Sequence, residues 1–255
     1  MCVRLLLQEL TRGEIRAIAA TTMVVLPVGA VEQHGPHLPT GTDFFVVEHL
    51  ARMATTEAAR DVPVVVAPTL PFGSSHHHLP FGGTLSLGTE LYYRVVYDLV
   101  ESLISSGFRK CFILNGHGGN SELVQLVARD LALKHPVHVA AASYWSIARD
   151  AFAALGDVTD VRIPGHAGAF ETSLIMALRP ELVARKLPHR EIDATRLPSG
   201  AQSTMRVEMH GSWQHLEGYT DSPDRGNPDI GNALLGATIQ AVVSAMIEFY
   251  RAEPV

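Results

Sequence analysis

The stretch Met23-Val-Val-Leu-Pro-Val-Gly29 is a short, almost wholly apolar run that ends at a glycine. Three more runs of the same character span residues 62–70, 110–114 and 137–143. Strands that are apolar on both faces are typical of a parallel sheet covered by helices on each side. The four runs therefore predict the buried strands of a mostly parallel sheet.

Helical patterns fall between and after these runs. Apolar residues recur at helical spacing over residues 44–60, 90–105, 121–134, 171–178 and 230–251. Thr89, Asn120 and Asn227 precede three of these segments, and each is a residue type that can cap a helix N-terminus. Strands that alternate with helices predict an α/β protein with a three-layer α/β/α sandwich.

The composition favours one folded domain over residues 1–255. A chain with 47% hydrophobic and 18% charged residues can bury a sizeable core. The net charge is −6 without a long basic run, which disfavours nucleic acid as a partner. No unbroken apolar run reaches the ~18 residues that cross a bilayer, and the N-terminus lacks the basic start of a signal peptide. The sequence therefore predicts a cytoplasmic protein with no membrane partner, in which the polar residues 179–229 form long surface loops.

The first predicted strand is followed by residues suited to binding metal ions. Glu32 and His34 are two residues apart, which places both side chains on one face of an extended segment. Asp43 lies where the next helix begins, and in parallel sheets ligands bind beyond the carboxyl ends of the strands. Carboxylate and imidazole together suit Zn, Mn or Fe(II), and Asp43 could bridge two such ions.

Two later segments add candidates to this site. The third predicted strand runs into Asn115-Gly-His-Gly-Gly-Asn120, whose glycines allow a ligand to approach His117 closely. His166 and Glu171 come just before and at the start of another helix. We predict that His117 is a third metal ligand, and His166 and Glu171 are further candidates for the same site.

Other polar residues near these turns have weaker roles. The backbone N–H groups of Gly118 and Gly119, or the side chain of Asn120, could hold a developing oxyanion and so bind substrate. Of His76-His-His78, only His78 is expected to line the pocket, since adjacent residues of an extended segment point in opposite directions. Asp221 is expected to be a surface carboxylate in a loop.

Several motifs together resemble the creatininase family of amidohydrolases. They are Glu32-Gln-His-Gly-Pro-His-Leu-Pro39 with Asp43, Asn115-Gly-His-Gly-Gly-Asn120, His166-Ala-Gly-Ala-Phe-Glu-Thr-Ser173 and the weaker His78-Leu-Pro-Phe-Gly-Gly-Thr84. The resemblance implies an α/β/α fold, two divalent metal ions in each subunit and a homo-oligomer, often a hexamer. It also implies that Glu32, His34, Asp43 and His117 are metal ligands, that His166 shuttles protons, and that Tyr144 and Trp145 form an aromatic wall.

The chain departs from creatininase itself at one turn. Creatininase has Tyr-Glu directly after the histidine of this turn, and that glutamate binds the second metal. Gly118 and Gly119 stand at these positions here, so Glu171 is the candidate that replaces the missing ligand. The Gly-Gly form resembles the broader family, which includes a formamide deformylase, a precursor-peptide peptidase and a cyclic ketone hydrolase.

The sequence therefore predicts a metal-dependent hydrolase that cleaves a C–N bond of a small molecule by metal-activated water. A hydrolase of C–C or peptide bonds from the same family is the alternative within enzymes. A non-catalytic binder of a metal or small ligand is the alternative outside them, although no Gly-x-Gly-x-x-Gly follows any strand. A structural zinc site is disfavoured, because such sites usually close with four Cys or His ligands.

Overall fold

Four parallel strands form the sheet of the part of the chain described by the structure, a computed structural model covering residues 4–156, 162–190 and 209–253. The strands are β1 (Met23–Val28), β2 (Val64–Val66), β3 (Lys110–Asn115) and β4 (His138–Ser143). Their order is β2-β1-β3-β4, and every neighbouring pair is parallel. Each of the four predicted runs matches one of these strands, and β3 extends one residue beyond its run, to Asn115.

The helices lie before, between and after the strands. They are α1 (Arg12–Ile18), α2 (Thr42–Ala58), α3 (Thr89–Ser105), α4 (Ser121–Lys134), α5 (Tyr144–Ile147), α6 (Arg149–Ala154), α7 (Ala169–Leu178), α8 (Ser212–His215) and α9 (Pro228–Arg251). Single 3-10 turns occur at Leu7–Glu9, Ala19–Thr21, Gly118–Asn120, Pro180–Leu182 and Pro223–Arg225, and a longer one at His76–Phe81. Of the predicted surface loops at 179–229, residues 191–208 lie outside the described residues.

Alternating side chains of the strands build two cores, one on each face of the sheet. Met23 and Val25 of β1 pack with α2, α7 and α9, whereas Val24 and Leu26 pack with α3 and α4 on the other face. Successive side chains of a strand point to opposite faces, so a strand buried on both sides must be apolar throughout. This arrangement confirms the predicted three-layer α/β/α sandwich.

β2 is shorter than the predicted run over residues 62–70. The Ala67 N–H still donates to the Val25 carbonyl, but Pro27 of β1 has no N–H to continue the ladder, so the pairing stops there and resumes at the bridge between Val28 and Leu70. Beyond this break the chain leaves the sheet and turns toward the ends of β1 and β3.

One of the three predicted helix caps is wrong, and a second is right in position only. Gly88, not Thr89, precedes α3, and the side chain of Asn120 makes no capping hydrogen bond to α4. The third prediction is confirmed, because the Asn227 side chain accepts hydrogen bonds from the backbone of Asp229 and Ile230.

The search for unbroken apolar runs overlooked α9, which is long and apolar enough to span a bilayer. Within the described residues, it is the helix whose length and composition would allow it to cross a membrane. Its apolar residues recur at helical spacing among small polar ones, so no continuous run reveals it. Leu234, Thr238 and Val242 are buried, and the helix packs against α2 and α7. This is the packing of a core helix.

Candidate metal centre

The loops after β1 and β3 bring three candidate ligands together. Glu32 and His34 follow β1, His117 follows β3, and these strands are neighbours in the sheet. All three side chains are buried, Glu32 and His34 completely. Asn115, the last residue of β3, fixes the turn, because its side chain accepts a hydrogen bond from the His117 N–H and donates one to the His117 carbonyl.

Asp43 lies between two imidazoles in the first turn of α2. Its Oδ1 is 3.2 Å from His34 Nε2, and its Oδ2 is 3.0 Å from His117 Nδ1. Glu32 Oε1 lies 3.3 Å from the same His117 nitrogen. The two oxygens of Asp43 thus face two different groups of ligands, as in a carboxylate that bridges two ions.

Glu171 lies with Asp43 on the side of the cluster that contains His34. It lies in the first turn of α7, and its Oε2 is 3.7 Å from His34 Nε2. The same oxygen accepts a hydrogen bond from the backbone N–H of Ala167. His34, Asp43 and Glu171 offer ligand atoms within 4.8 Å of one another. The structure therefore brings all five sequence-predicted ligands into one buried cluster.

Hydrogen bonds to backbone carbonyl oxygens orient the imidazoles of His34 and His117. His34 Nδ1 donates to the carbonyl oxygen of Glu32 at 3.1 Å, which leaves Nε2 facing Asp43. His117 Nε2 is 3.2 Å from the carbonyl oxygen of Ser74, which leaves Nδ1 facing the carboxylates. Histidines that bind metals are commonly held in this way, with the other ring nitrogen donating to a carbonyl or carboxylate.

The residues present fit a bound divalent metal ion. Within the described residues, both side-chain oxygens of Glu32 and Oδ2 of Asp43 are buried without a hydrogen-bond donor. Their contacts with His117 are close enough for an ion pair but lack the alignment of hydrogen bonds. Buried carboxylates without donors are costly unless a cation is bound, so the cluster has the chemistry of a cation site.

Three of these groups hold protons tightly in the absence of a metal. Burial alone would lower the pKa of His34, but the Asp43 carboxylate, together with Glu171 when it is ionised, outweighs burial and raises this pKa to about 10. The pKa of His117 likewise lies well above its ordinary value, since Glu32 and Asp43 outweigh burial. Burial and the nearby Asp43 carboxylate raise the pKa of Glu171 to about 8, against the opposing effect of His34. Protons thus take the place of cations in this cluster.

His166 lies beside the cluster, and its pKa is lowered, whereas those of His34 and His117 are raised. Burial and the charge of His34 hold the pKa of His166 well below its usual range. Its Nε2 is 2.9 Å from the carbonyl oxygen of Gln33, so this nitrogen donates the hydrogen bond. Nδ1 then faces Glu32 Oε1 at 3.5 Å and carries the free lone pair. The His166 ring is therefore neutral, and its proton-accepting atom faces the candidate metal ligands.

The pocket over this cluster has a volume of about 270 Å³. Among its lining residues are the predicted His78, Gly118 and Trp145, together with His77 and Trp213, which the sequence analysis did not select. The sequence places only His78 of the three histidines at the pocket, but residues 76–81 form a 3-10 helix instead of an extended segment. Adjacent side chains then project about a third of a turn apart, so both can reach one pocket.

The buried positions of Asn120, Tyr144 and Asp221 contradict the roles expected for them from the sequence. Asn120 lies behind the pocket, where its amide accepts from the Ser74 N–H and donates to the Gly29 carbonyl, so it is not available to an oxyanion. Tyr144 is buried beneath Trp145 and does not line the pocket. Asp221 is buried rather than a surface carboxylate, with Oδ2 facing the Ala169 N–H.

The turn after β3 has room for a side chain at one glycine and not at the other. A Cβ at Gly119 would lie 2.2 Å from the Ser74 carbonyl oxygen and 2.6 Å from His117 Nε2, whereas a Cβ at Gly118 would meet nothing within 4 Å. Neither glycine has a positive φ. Close approach, not a left-handed backbone, therefore requires a glycine at residue 119.

Comparison with known proteins gives consistent matches. A family profile described as creatininase, creatinine amidohydrolase, matches residues 8–246. A mycofactocin precursor peptide peptidase of Mycobacterium tuberculosis (strain CDC 1551 / Oshkosh) is 39% identical over 103 residues, which are 38% of this chain and only 41% of that protein. A creatinine amidohydrolase of Pseudomonas putida is 31% identical over 188 residues, covering 67% of this chain and 69% of that protein. The solved structure described as "Creatininase Mn" has a TM-score of 0.77 at 25% identity, covering 98% of this chain and 100% of that one.

Proposed function

The chain belongs to the creatininase family, and from this premise we propose that it is a metal-dependent hydrolase that cleaves a C–N bond in a small molecule. The bond belongs to an amide, a cyclic amide or a formamide. The observation that carries the proposal is Asp43, whose two oxygens face His34 on one side and His117 on the other within a buried, carboxylate-rich cluster.

Two divalent ions, Zn, Mn or Fe(II), fit the two groups of ligands that share Asp43. Glu32 and His117 would hold one ion, and His34 and Glu171 the other. When bound, such ions lower the pKa of water and polarise a carbonyl group. The manganese named for the similar creatininase structure supports a divalent metal of this kind.

The chain itself supplies the proton transfer. Because His166 is neutral and Nδ1 faces the cluster, this nitrogen can accept a proton from the attacking water and pass it to the leaving nitrogen. Glu171 acts from the same segment, five residues later, as a ligand that positions the reacting groups. The backbones of Gly118 and Gly119 line the pocket and are the remaining candidates to contact a developing oxyanion.

The size of the pocket favours a small substrate over a long peptide. Its volume of about 270 Å³ lies below the usual range of roughly 300–1,000 Å³ for ligand pockets. Because the chain is similar to a precursor peptide peptidase, the end of a peptide is the second candidate substrate. Assays should therefore compare formamides, cyclic amides and short peptides with Zn or Mn added.

Metal analysis of purified variants tests the site. Wild-type protein should bind two ions, and Glu171→Gln should bind about half as much metal and lose turnover. Glu90→Gln, which removes an exposed carboxylate from the first turn of α3, is the matched control and should match wild type. Full occupancy in Glu171→Gln would refute this ligand, and an unchanged stability on adding a chelator to the wild-type protein would refute the metal hydrolase.

Replacement of the proposed proton carrier gives a separate test. His166→Ala should keep both ions and lose turnover, because the ring transfers protons and does not hold the metals. Unchanged turnover in this variant would refute the proton-transfer role of His166 and leave it only a structural role in the loop.

We also propose a cytoplasmic homo-oligomer, with the hexamer that the family resemblance implies. Of the ten large apolar side chains that are exposed in the described residues, five fall within residues 72–91. Exposed apolar side chains that form one contiguous patch are typical of surfaces that contact another subunit, and this stretch is where we expect such a contact. Light scattering of the purified protein would give the subunit number, and a monomer would contradict the proposal.

A further inference from the structure

Both tryptophans of the chain line the same pocket. Trp145 lies in α5, directly after β4, and was expected to form a wall. Trp213 lies in α8, far along the chain, within a polar stretch that has no recognisable pattern. Each indole is only partly buried, so each offers ring surface to a ligand.

The two indoles flank the candidate metal ligands from opposite edges of the sheet. The strand order places β2 and β4 at the two edges, with β1 and β3 between them. Trp145 follows β4, whereas Trp213 contacts His77 and His78, which follow β2. The ligands from β1 and β3 therefore lie between the two tryptophans.

Trp213 packs against the histidine proposed to carry protons. The rings of His78 and His166 are stacked, with centroids 4.2 Å apart and planes 17° apart. The Trp213 ring stands nearly perpendicular to both, at 4.5 Å from His78 and 5.2 Å from His166. The indole thus borders the place where a leaving group would receive its proton.

Polar contacts hold this indole in position. The Arg190 guanidinium donates to the carbonyl oxygens of Leu216 and Tyr219 at 2.9 and 2.7 Å. Gln33 Nε2 donates to the Gly218 carbonyl at 3.0 Å, and the Gly218 N–H donates to the carbonyl oxygen of Trp213. A Cβ at Gly218 would lie 2.5 Å from Gln33 Oε1, so the α8 segment lies tightly against the loop that follows β1.

We propose that Trp213 is a specificity-determining residue that selects a planar group beside the scissile bond. The inference rests on the proposed hydrolase function, because it assigns the substrate class of the same site. Indole and imidazole rings pack best against flat π systems, in stacked or edge-to-face arrangements. The substrate class is therefore a conjugated amide or a nitrogen heterocycle, and amides of bulky saturated carbon are disfavoured.

Binding of two matched amides to the Zn²⁺-loaded protein tests the proposal without relying on turnover. Benzamide is planar, whereas cyclohexanecarboxamide carries the same amide on a puckered ring. Because the chain has two tryptophans, Trp145→Phe leaves Trp213 as the single indole fluorophore. Benzamide should change its fluorescence saturably and bind about fivefold more tightly than cyclohexanecarboxamide. Isothermal calorimetry with the variants Trp213→Ala and Trp213→Phe should show the preference lost in the first and largely kept in the second.

The outcomes separate this inference from the proposed function. A preference for benzamide that disappears in Trp213→Ala supports the aromatic wall, even if the loaded protein hydrolyses no amide. Equal affinities for the two amides, or a preference that survives in Trp213→Ala, would overturn the wall, even if amides are hydrolysed.

Discussion

Binding of Zn²⁺ to the metal-free protein at pH 7 should release about three protons for every two ions. His34 has a pKa of about 10, Glu171 one of about 8, and His117 one well above its usual value. All three groups are therefore mostly protonated at pH 7, and each must lose its proton before it can bind a metal.

The sign and size of the pH dependence follow from this count. Protons compete with the ions, so metal affinity must fall as the pH falls. With three protons released, the product of the two binding constants should rise by about three powers of ten for each pH unit near pH 7. His166, whose pKa lies well below the ordinary range, would release none. The proton count thus distinguishes the proposed ligands from a set in which His166 replaces Glu171 or His117.

Calorimetric titration in buffers of different ionisation enthalpy measures the number of protons directly. Wild-type protein should give a slope near three, and Glu171→Gln should give a slope near two with less metal bound. Glu90→Gln, the surface control, should match wild type. A slope below about one would refute the reasoning, because the proposed ligands would then be deprotonated before the metal arrives.

Two further substitutions test the supports of the site. Gly119→Ala places a Cβ against the Ser74 carbonyl and the His117 ring, so we expect thermal denaturation to show a loss of ~1–3 kcal/mol and reduced metal content, whereas Gly118→Ala, in open space, should match wild type. Thr220→Val removes the hydroxyl that accepts a hydrogen bond from the buried backbone N–H of His166 at 2.8 Å. We expect this change to lower the free energy of unfolding by about 1–3 kcal/mol and to lower turnover, with both metals kept. Thr220→Ser should retain both properties, and full turnover in the valine variant would contradict this role.

The sheet and the ends of its central strands could be predicted from the sequence because their signals are local. β1 and β3 are buried on both faces, which makes them continuous apolar runs, and the polar residues after them are the candidate ligands. Glu32, His34 and His117 follow from this rule alone. β2 is shorter than its apolar run, because the donor missing at Pro27 ends the ladder only through the pairing of β1 with β2.

The pocket walls were less predictable because they depend on tertiary contacts. Trp213 reaches His78 across more than a hundred residues, and nothing in its own neighbourhood indicates a partner. His77 was missed because an extended segment was assumed where the chain forms a 3-10 helix. Asn120 and Tyr144 adjoin the site in sequence, but their side chains turn into the interior. Proximity in sequence could not reveal these directions.

The turn after β3 explains why shared ligands need not imply a shared substrate. Residue 119 has no room for the glutamate that creatininase is known to place there, since even a Cβ would strike the Ser74 carbonyl. Glu171 approaches His34 from α7, so one segment carries both the proposed ligand and the proposed proton carrier His166. The space beside Gly118, where creatininase has a tyrosine, stays open. A substrate can occupy that space, and its shape is then limited by walls such as Trp213, so we expect a planar amide other than creatinine.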